Sequence, residues 1–389
     1  MKRSKKMHKF SLRRLLLAAV TSLLLVSTVF HFIFPPELEV TTLRHGVTQE
    51  KAQLPWHFSE PSVNNIVTTT VNVDRFTPRT WHVTPDDFMR SIIVNGVNVD
   101  LSHIGPGLHD YGNGFDIDLG AYLINGQPNQ LVFTFDNGGG DGGLDVKPVL
   151  SKLSWVLVAL SFLPFALSLC KAFRLLPEQT ILLVLGTAVA CAYWSYTPWL
   201  SHTYDVQGGS GHYDYIMYVA TKLGLPAPLD GWTFYHPPVY YVVGAFFWRW
   251  SDFLDLPKPE MIQVYCLFLW LIFLASSAGV MRIVLKTNYK AIYAATFALC
   301  LWPNGIMHSV CIGNDLALYA CSGLVMWFTA RWWEHNRRND FIWMAVLCGF
   351  AMLCKSNGLP LIATCGLLVV LKLFFQNQES IKQRLLDVV

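Results

Sequence analysis

The sequence predicts a polytopic α-helical membrane protein with a β-sandwich domain outside the membrane near its N-terminus. Three observations carry that expectation. Hydrophobic residues make up 53% of the 389 positions and charged residues only 14%, against about 25% charged in a soluble domain. The apolar residues gather in blocks long enough to cross a bilayer, and the mean hydropathy is +0.36. Charge is also unevenly placed. Residues 1–35 hold 7 Lys/Arg and no acid, residues 36–148 hold 6 Lys/Arg against 14 Asp/Glu, and the remainder 16 against 12. An acidic, water-soluble segment thus sits inside a membrane protein. This composition excludes a disordered chain, a disulfide scaffold and a nucleic-acid-binding module.

The chain opens on a basic tail with further base at Arg13 and Arg14, and an apolar run follows over 15–34. About 20 such residues span the hydrocarbon core. A cleaved signal peptide has a shorter apolar region and a small-residue cleavage site, and no clear site of that kind precedes Pro35-Pro36. Residues 1–35 therefore read as a cytoplasmic tail and an uncleaved anchor in the plasma (inner) membrane, with the N-terminus inside. Residues 36–148 then lie outside. Residues 149–178 cross inward and turn at Lys171 and Arg174, and 179–199 return outward.

Residues 237–252 are apolar but short for a span, with Arg249 between Trp248 and Trp250. If they crossed, the basic clusters Arg282/Lys286/Lys290 and Arg331/Arg337/Arg338 would both lie outside, against the positive-inside bias. A helix lying flat at the outer interface, started by Pro237-Pro238, keeps both inside. Spans at 261–282, 290–306, 315–331, 341–357 and 358–376 complete a set of about eight. The last residues read as an interrupted chain, so a C-terminally incomplete membrane core is expected over 179–389.

Within 60–148, alternation of apolar and polar residues marks strands at 65–73, 91–96 and 130–135, separated by turns at Asn95-Gly96, Asn113-Gly114, Asn125-Gly126 and Gly138-Gly139-Gly140. Short strands at even spacing suggest a sandwich. Trp81, Asp86-Asp87, Asn95-Gly96, Asp116, Asp118, Leu119, Leu123, Asn129 and Leu131 together resemble the galactose-binding-like jelly-roll domains over some 70 residues. In such domains the acids and the Asn-Gly turn mostly determine the fold, so two roles stay open: a sugar-binding module, or a rigid docking module. Asp136, Asp141 and Asp145 sit on a Gly-rich turn that would suit Ca²⁺ or simply be a solvated acidic loop. None of the nine cysteines falls in 36–148 and no pair has CxxC spacing; they read as small buried apolar side chains.

The loop 200–236 and the segment after it carry the chemistry. His202, Asp205, His212, Asp214 and His236 stand close to the membrane, where ionisable groups are costly without a purpose. Asp214 would also cap a helix over 214–223. Asp205 directly follows the end of a span in a segment that need not be charged.

Asp205 past an outgoing span, then Gly211-His212-x-x-Tyr215-Ile216, then Gly231-Trp232-x-x-Tyr235-His236-Pro237-Pro238-x-Tyr240-Tyr241 resembles the GT-C fold glycosyltransferases that use polyprenyl-phosphate sugars, in particular the bacterial relatives of protein O-mannosyltransferases and of the lipid A aminoarabinose transferase. Trp302-Pro303-Asn304, Ser309 and Gly313-Asn314-Asp315 give a second match, and Gly349-Phe350, Leu353, Lys355 and Gly358 a third. The resemblance covers about 179–376. Two features depart from it: a span, a sandwich and a second span stand before the Asp loop, and the family's further C-terminal spans are lacking here.

The resemblance implies transfer of a sugar from a polyprenyl-phosphate donor to a glycan, lipid or protein acceptor at the lipid bilayer's outer side. It implies Asp205 as general base, with His236 and Asp315 also catalytic. Lys355 and His212 would meet the leaving phosphate, with Tyr235 and Tyr240 among the rings that hold sugars, and Asp214 and Asn314 as further binding residues. Each has a plainer alternative: Lys355 snorkelling to the interface, the tyrosines forming an interfacial belt, Asn314 or Asp315 capping a helix. A divalent cation held by Asp205, Asp214 and Asp315 is the possible cofactor. A non-catalytic glycan receptor is the competing class. A transporter fits less well, because the ionisable residues cluster at one face and not at the middle of the spans.

Overall fold

A computed structural model describes residues 12–34, 38–54, 56–58, 60–74, 77–110, 113–140, 142–149, 152–197 and 211–375. It divides into two compact units: residues 27–157 with 252–257, and residues 1–26, 158–251 and 258–389.

The first unit holds ten strands: β1 (Glu39–Arg44), β2 (Val47–Gln53), β3 (Trp56–Phe58), β4 (Ser62–Asn72), β5 (Thr80–Pro85), β6 (Phe88–Val94), β7 (Val97–Asn98), β8 (Phe115–Asp118), β9 (Pro128–Asn137) and β10 (Gly142–Pro148). They form two antiparallel sheets, ordered β2-β1-β4-β9-β6-β7 and β3-β10-β5-β8. Alternation of period two buries Leu131, Phe133 and Phe135 from β9, Trp81 and Val83 from β5, and Leu144 and Val146 from β10 in one core shared by both sheets. Two sheets over one core are the layers a sandwich requires. Strands start at Glu39, earlier than the alternation from residue 65 suggests, because β1 and the edge strand β2 beside it have weak apolar patterning.

Asn95 and Gly96 both adopt positive φ, 51° and 80°, in the two-residue turn that pairs Val94 with Val97. The Asn95 side chain donates to Asn129 Oδ1 at 2.9 Å and accepts from the Gln130 amide at 3.0 Å. Asp118 accepts from the Gly120 amide and Asp116 pairs with His82. The motif residues of this unit are thus engaged in turns and cross-strand pairs. Asp136 is held by Arg90 and the Asn64 amide, and Asp145 by Lys147, so neither is a bare calcium ligand; Asp141 lies outside the described residues.

The helices are α1 (Leu12–Ile33), α2 (Lys152–Ser161), α3 (Leu163–Phe173), α4 (Pro177–Tyr196), α5 (His212–Lys222), α6 (Val239–Phe253), α7 (Lys258–Leu285), α8 (Tyr289–Cys300), α9 (Pro303–His308), α10 (Asp315–His335), α11 (Arg338–Cys354) and α12 (Leu359–Phe375). Among the described residues, four stretches are long and apolar enough to cross a membrane: Leu12–Ile33, Ser154–Phe173, Pro177–Tyr196 and Lys258–Leu285. The expected continuous span 290–306 is not one helix. α8 has 12 residues, about 18 Å against a core of about 30 Å, and Pro303 starts a separate short helix. The expected spans 341–357 and 358–376 appear as α11 and α12, of 17 residues each. The segment expected at 237–252 forms the 15-residue helix α6.

In the second unit α7 is the central helix. Small residues bring α10 against it: a Cβ on Gly323 would overlap Ser276 Oγ, so glycine permits this close approach. Buried Gln179 on α4 donates to Ala278 O of α7 at 3.0 Å and to Thr296 Oγ1 of α8 at 3.1 Å.

Candidate active site

Asn314 and Lys355 set the geometry of the site. Asn314 is fully buried and its side-chain amide donates to Cys354 O at 3.2 Å, which ties the start of α10 to the end of α11. That link places Lys355, the residue closing α11, against Asp315, the first residue of α10. Their Nζ–Oδ1 distance is 2.6 Å, with side-chain exposures of 16% and 36%. Each charge also sits at the helix end that favours it: the carboxylate at an N-terminus, the ammonium at a C-terminus.

The opposite wall comes from α5 and the lead into α6. The Gly211 amide donates to Asp214 Oδ2 at 2.9 Å, so Asp214 closes the first turn of α5 and fixes His212 at its start. His212 Nδ1 lies 2.7 Å from the Tyr241 hydroxyl of α6. The His236 ring lies nearly parallel to His212, with centroids 5.5 Å apart. Tyr235, 63% exposed, flanks His236 at 4.2 Å.

The third wall is the segment from α9 to α10. A buried chain holds it: Trp194 Nε1 donates to Gln263 Oε1 at 2.8 Å, and Gln263 Nε2 donates to Val310 O at 2.9 Å. His308, Cys311, Ile312 and Gly313 follow from that anchor. Together the walls enclose a cavity of about 350 Å³, lined by His212, Tyr235, His236, His308, Asp315 and Lys355, with Ser356 and Asn357 beside the lysine. That volume suits a small-molecule site.

Burial is the main influence on the imidazoles. It pushes His212 down to about 4, helped by nearby His236 and Lys355 and opposed by Asp315. His308 is lowered by burial as well, with Asp315 raising it and Lys355 lowering it. Both rings are neutral at pH 7 and serve as hydrogen-bonding groups. Asp214 is raised by burial, an effect countered by the Gly211 amide. Lys355 and Asp315 place an ion pair on the same cavity wall.

Of the residues expected from sequence, His212, Tyr235, His236, Asp315 and Lys355 come together on this cavity. Asp214 does not reach it, being turned to Gly211. Tyr240 is fully buried between helices, with its hydroxyl 3.5 Å from Cys266 Sγ. Asn314 supports the site from behind. Asp205 lies outside the described residues. Among the described residues no three His, Cys, Asp or Glu side chains converge as metal ligands.

Residues 236–387 match the family model of dolichyl-phosphate-mannose-protein mannosyltransferase. Among solved structures the chain is similar to arabinosyltransferase EmbB from Mycobacterium smegmatis, at 12% identity and a TM-score of 0.33, over 97% of this chain and 41% of that one. The chain thus spans less than half the length of that protein. No curated protein sequence matches it.

Two residues of this site are missing from the sequence expectation. His308 falls inside the Trp302–Asp315 motif at a position the resemblance leaves unassigned; its signal was a histidine just past the proline that ends α8. Tyr241 counted only as an aromatic ring, and its bond to His212 is a tertiary contact between α5 and α6 with no local sequence signature.

Proposed function

We propose that this protein is a membrane glycosyltransferase that moves a sugar from a polyprenyl-phosphate donor to an acceptor outside the cytoplasm. The ion-paired Lys355 and Asp315 on a cavity walled by three histidines support this reading best, because a leaving lipid phosphate needs both a cation and hydrogen-bond donors. In the reaction an acceptor oxygen attacks the anomeric carbon. The bond from that carbon to the phosphate oxygen breaks, and its electron pair leaves on the phosphate. Lys355 neutralises that charge, and His212, His236 and His308 offer ring nitrogens around it.

The acceptor proton goes to a carboxylate. Asp315 is a poor candidate for that step, because Lys355 already engages its carboxylate at 2.6 Å. Asp205 is the better one, and its segment enters the described structure at Gly211 and His212, on the cavity wall. Tyr235 would stack on a sugar ring. The active site then faces the extracytoplasmic side of the inner membrane, with the N-terminus in the cytoplasm, and the β domain lies on the same side as the acceptor.

Purified protein in nanodiscs, given radiolabelled sugar on a panel of polyprenyl-phosphate donors with cell-envelope acceptors, tests this. Transfer by the wild type, reduced by ~10²–10⁴-fold in Asp205→Asn, is the expected result. Transfer that survives the substitution rules out Asp205 as the base, and no transfer from any donor by folded protein counts against the enzyme.

A further inference from the structure

We infer that Asp315 is a built-in counter-anion that occupies Lys355 while the site is empty and competes with the donor's phosphate for it. The inference rests on the proposed function and identifies what the donor must displace. Lys355 is 16% exposed, so its charge needs a partner when no substrate is present. Asp315 supplies one at 2.6 Å, through a single carboxylate oxygen. The pair borders the open cavity, where an entering anion reaches the same ammonium.

The exchange is cheap on both sides. Asp315 begins α10, so the helix N-terminus continues to stabilise its charge after the lysine turns away. Lys355 carries a flexible four-carbon stem and three donors, and can swing from carboxylate to phosphate without moving the backbone. The neighbouring His212 and His308 rings, held neutral, bring no further positive charge. Lys355 is the ammonium that an entering anion would take over from Asp315.

The consequence separates Asp315 from its other possible roles. A carboxylate that bound the donor's hydroxyls, or helped hold a cation beside its phosphate, would weaken donor binding when removed. A competitor would strengthen it. An N-cap alone would leave it unchanged.

The test is calorimetric titration of the full chain in nanodiscs with geranyl phosphate, and with geraniol as the uncharged control, for wild type, Asp315→Asn, Lys355→Gln and the double variant. The expected result is binding of the phosphate but not the alcohol, tightened roughly 3–10-fold in Asp315→Asn. Lys355→Gln should weaken it by about tenfold or more, and the double variant should match Lys355→Gln, because removing a competitor has no effect once its target is gone. Weaker or unchanged binding in Asp315→Asn overturns the inference while leaving the enzyme reading intact. Wild type that binds no phosphate removes both. If Asp315→Asn fails to fold, Asp315→Ser, which keeps a small polar side chain at the first residue of α10, carries the same expectation.

Discussion

His212 and Tyr241 are joined edge to edge, Nδ1 to hydroxyl at 2.7 Å, with ring planes 12° apart. The bond uses one imidazole nitrogen and leaves Nε2 on the side of Gly313, in the cavity wall. A buried imidazole tied in this way has one ring orientation to offer a substrate, whichever of the two groups donates. Tyr241 in turn stacks on Tyr215 at 3.8 Å, so the orientation is set by the packing of α5 on α6.

Tyr241→Phe keeps the ring stack and removes only the hydroxyl. A stability loss of about 1 kcal/mol is expected, with a larger effect on turnover, about tenfold, because the imidazole loses the contact that orients it. Transfer kinetics beside thermal unfolding separate the two. Equal losses in both would mean that the bond is only structural.

Acidification should destabilise the protein through His212. Its folded pKa is about 4, below the ordinary 6.5. Between those values the unfolded chain holds the proton and the folded chain does not, so stability falls as pH drops through that window. Unfolding midpoints at pH 7.5 and pH 5 should differ more for wild type than for His212→Gln. A difference that the substitution leaves unaltered would point to other groups.

The Trp194–Gln263–Val310 chain predicts a coupling between core and site. Gln263→Leu strands the Trp194 donor and the Val310 carbonyl, at a cost of about 1–3 kcal/mol. Because Val310 leads into Cys311, Ile312 and Gly313, KM for the donor should rise along with the loss of stability. A stability loss with unchanged KM would show that the wall holds its shape without this anchor.

Gly244 lets α6 approach α5. A Cβ there would lie 2.9 Å from Ile216 Cδ1, the far end of a flexible side chain. Gly244→Ala should be absorbed by a small shift of Ile216, whereas Gly244→Leu should cost about 1–3 kcal/mol and impair His212 with it. Thermal unfolding and transfer rates of the pair check this, and a tolerated leucine would refute the close approach.

Sequence alone was informative wherever chemistry is written locally. Apolar runs of about 20 residues foretold α1, α4 and α7, since a bilayer-spanning helix is specified by its own length and hydropathy. The Asn95-Gly96 turn and the alternation around Phe133 foretold strands, because turn dihedrals and period-two patterns are local properties. Proline before residues 239–253 and their short length foretold α6. Where the pattern was ambiguous the expectation slipped: residues 290–306 read as one apolar run although Trp302-Pro303 divides it, and Tyr240 and Tyr241 looked alike although one is buried in the bundle and the other bonds His212.

What the sequence determined, then, was the inventory: a membrane chain with an acidic β domain, and histidines, carboxylates and a lysine gathered near helix ends. What only the tertiary structure decided was which of them meet. Lys355 finds Asp315 across 40 residues because Asn314 bonds Cys354 O and α10 packs on α11. His212 loses its charge because packing withdraws it from water. Distances and desolvation belong to the assembled fold, and no stretch of residues encodes them by itself.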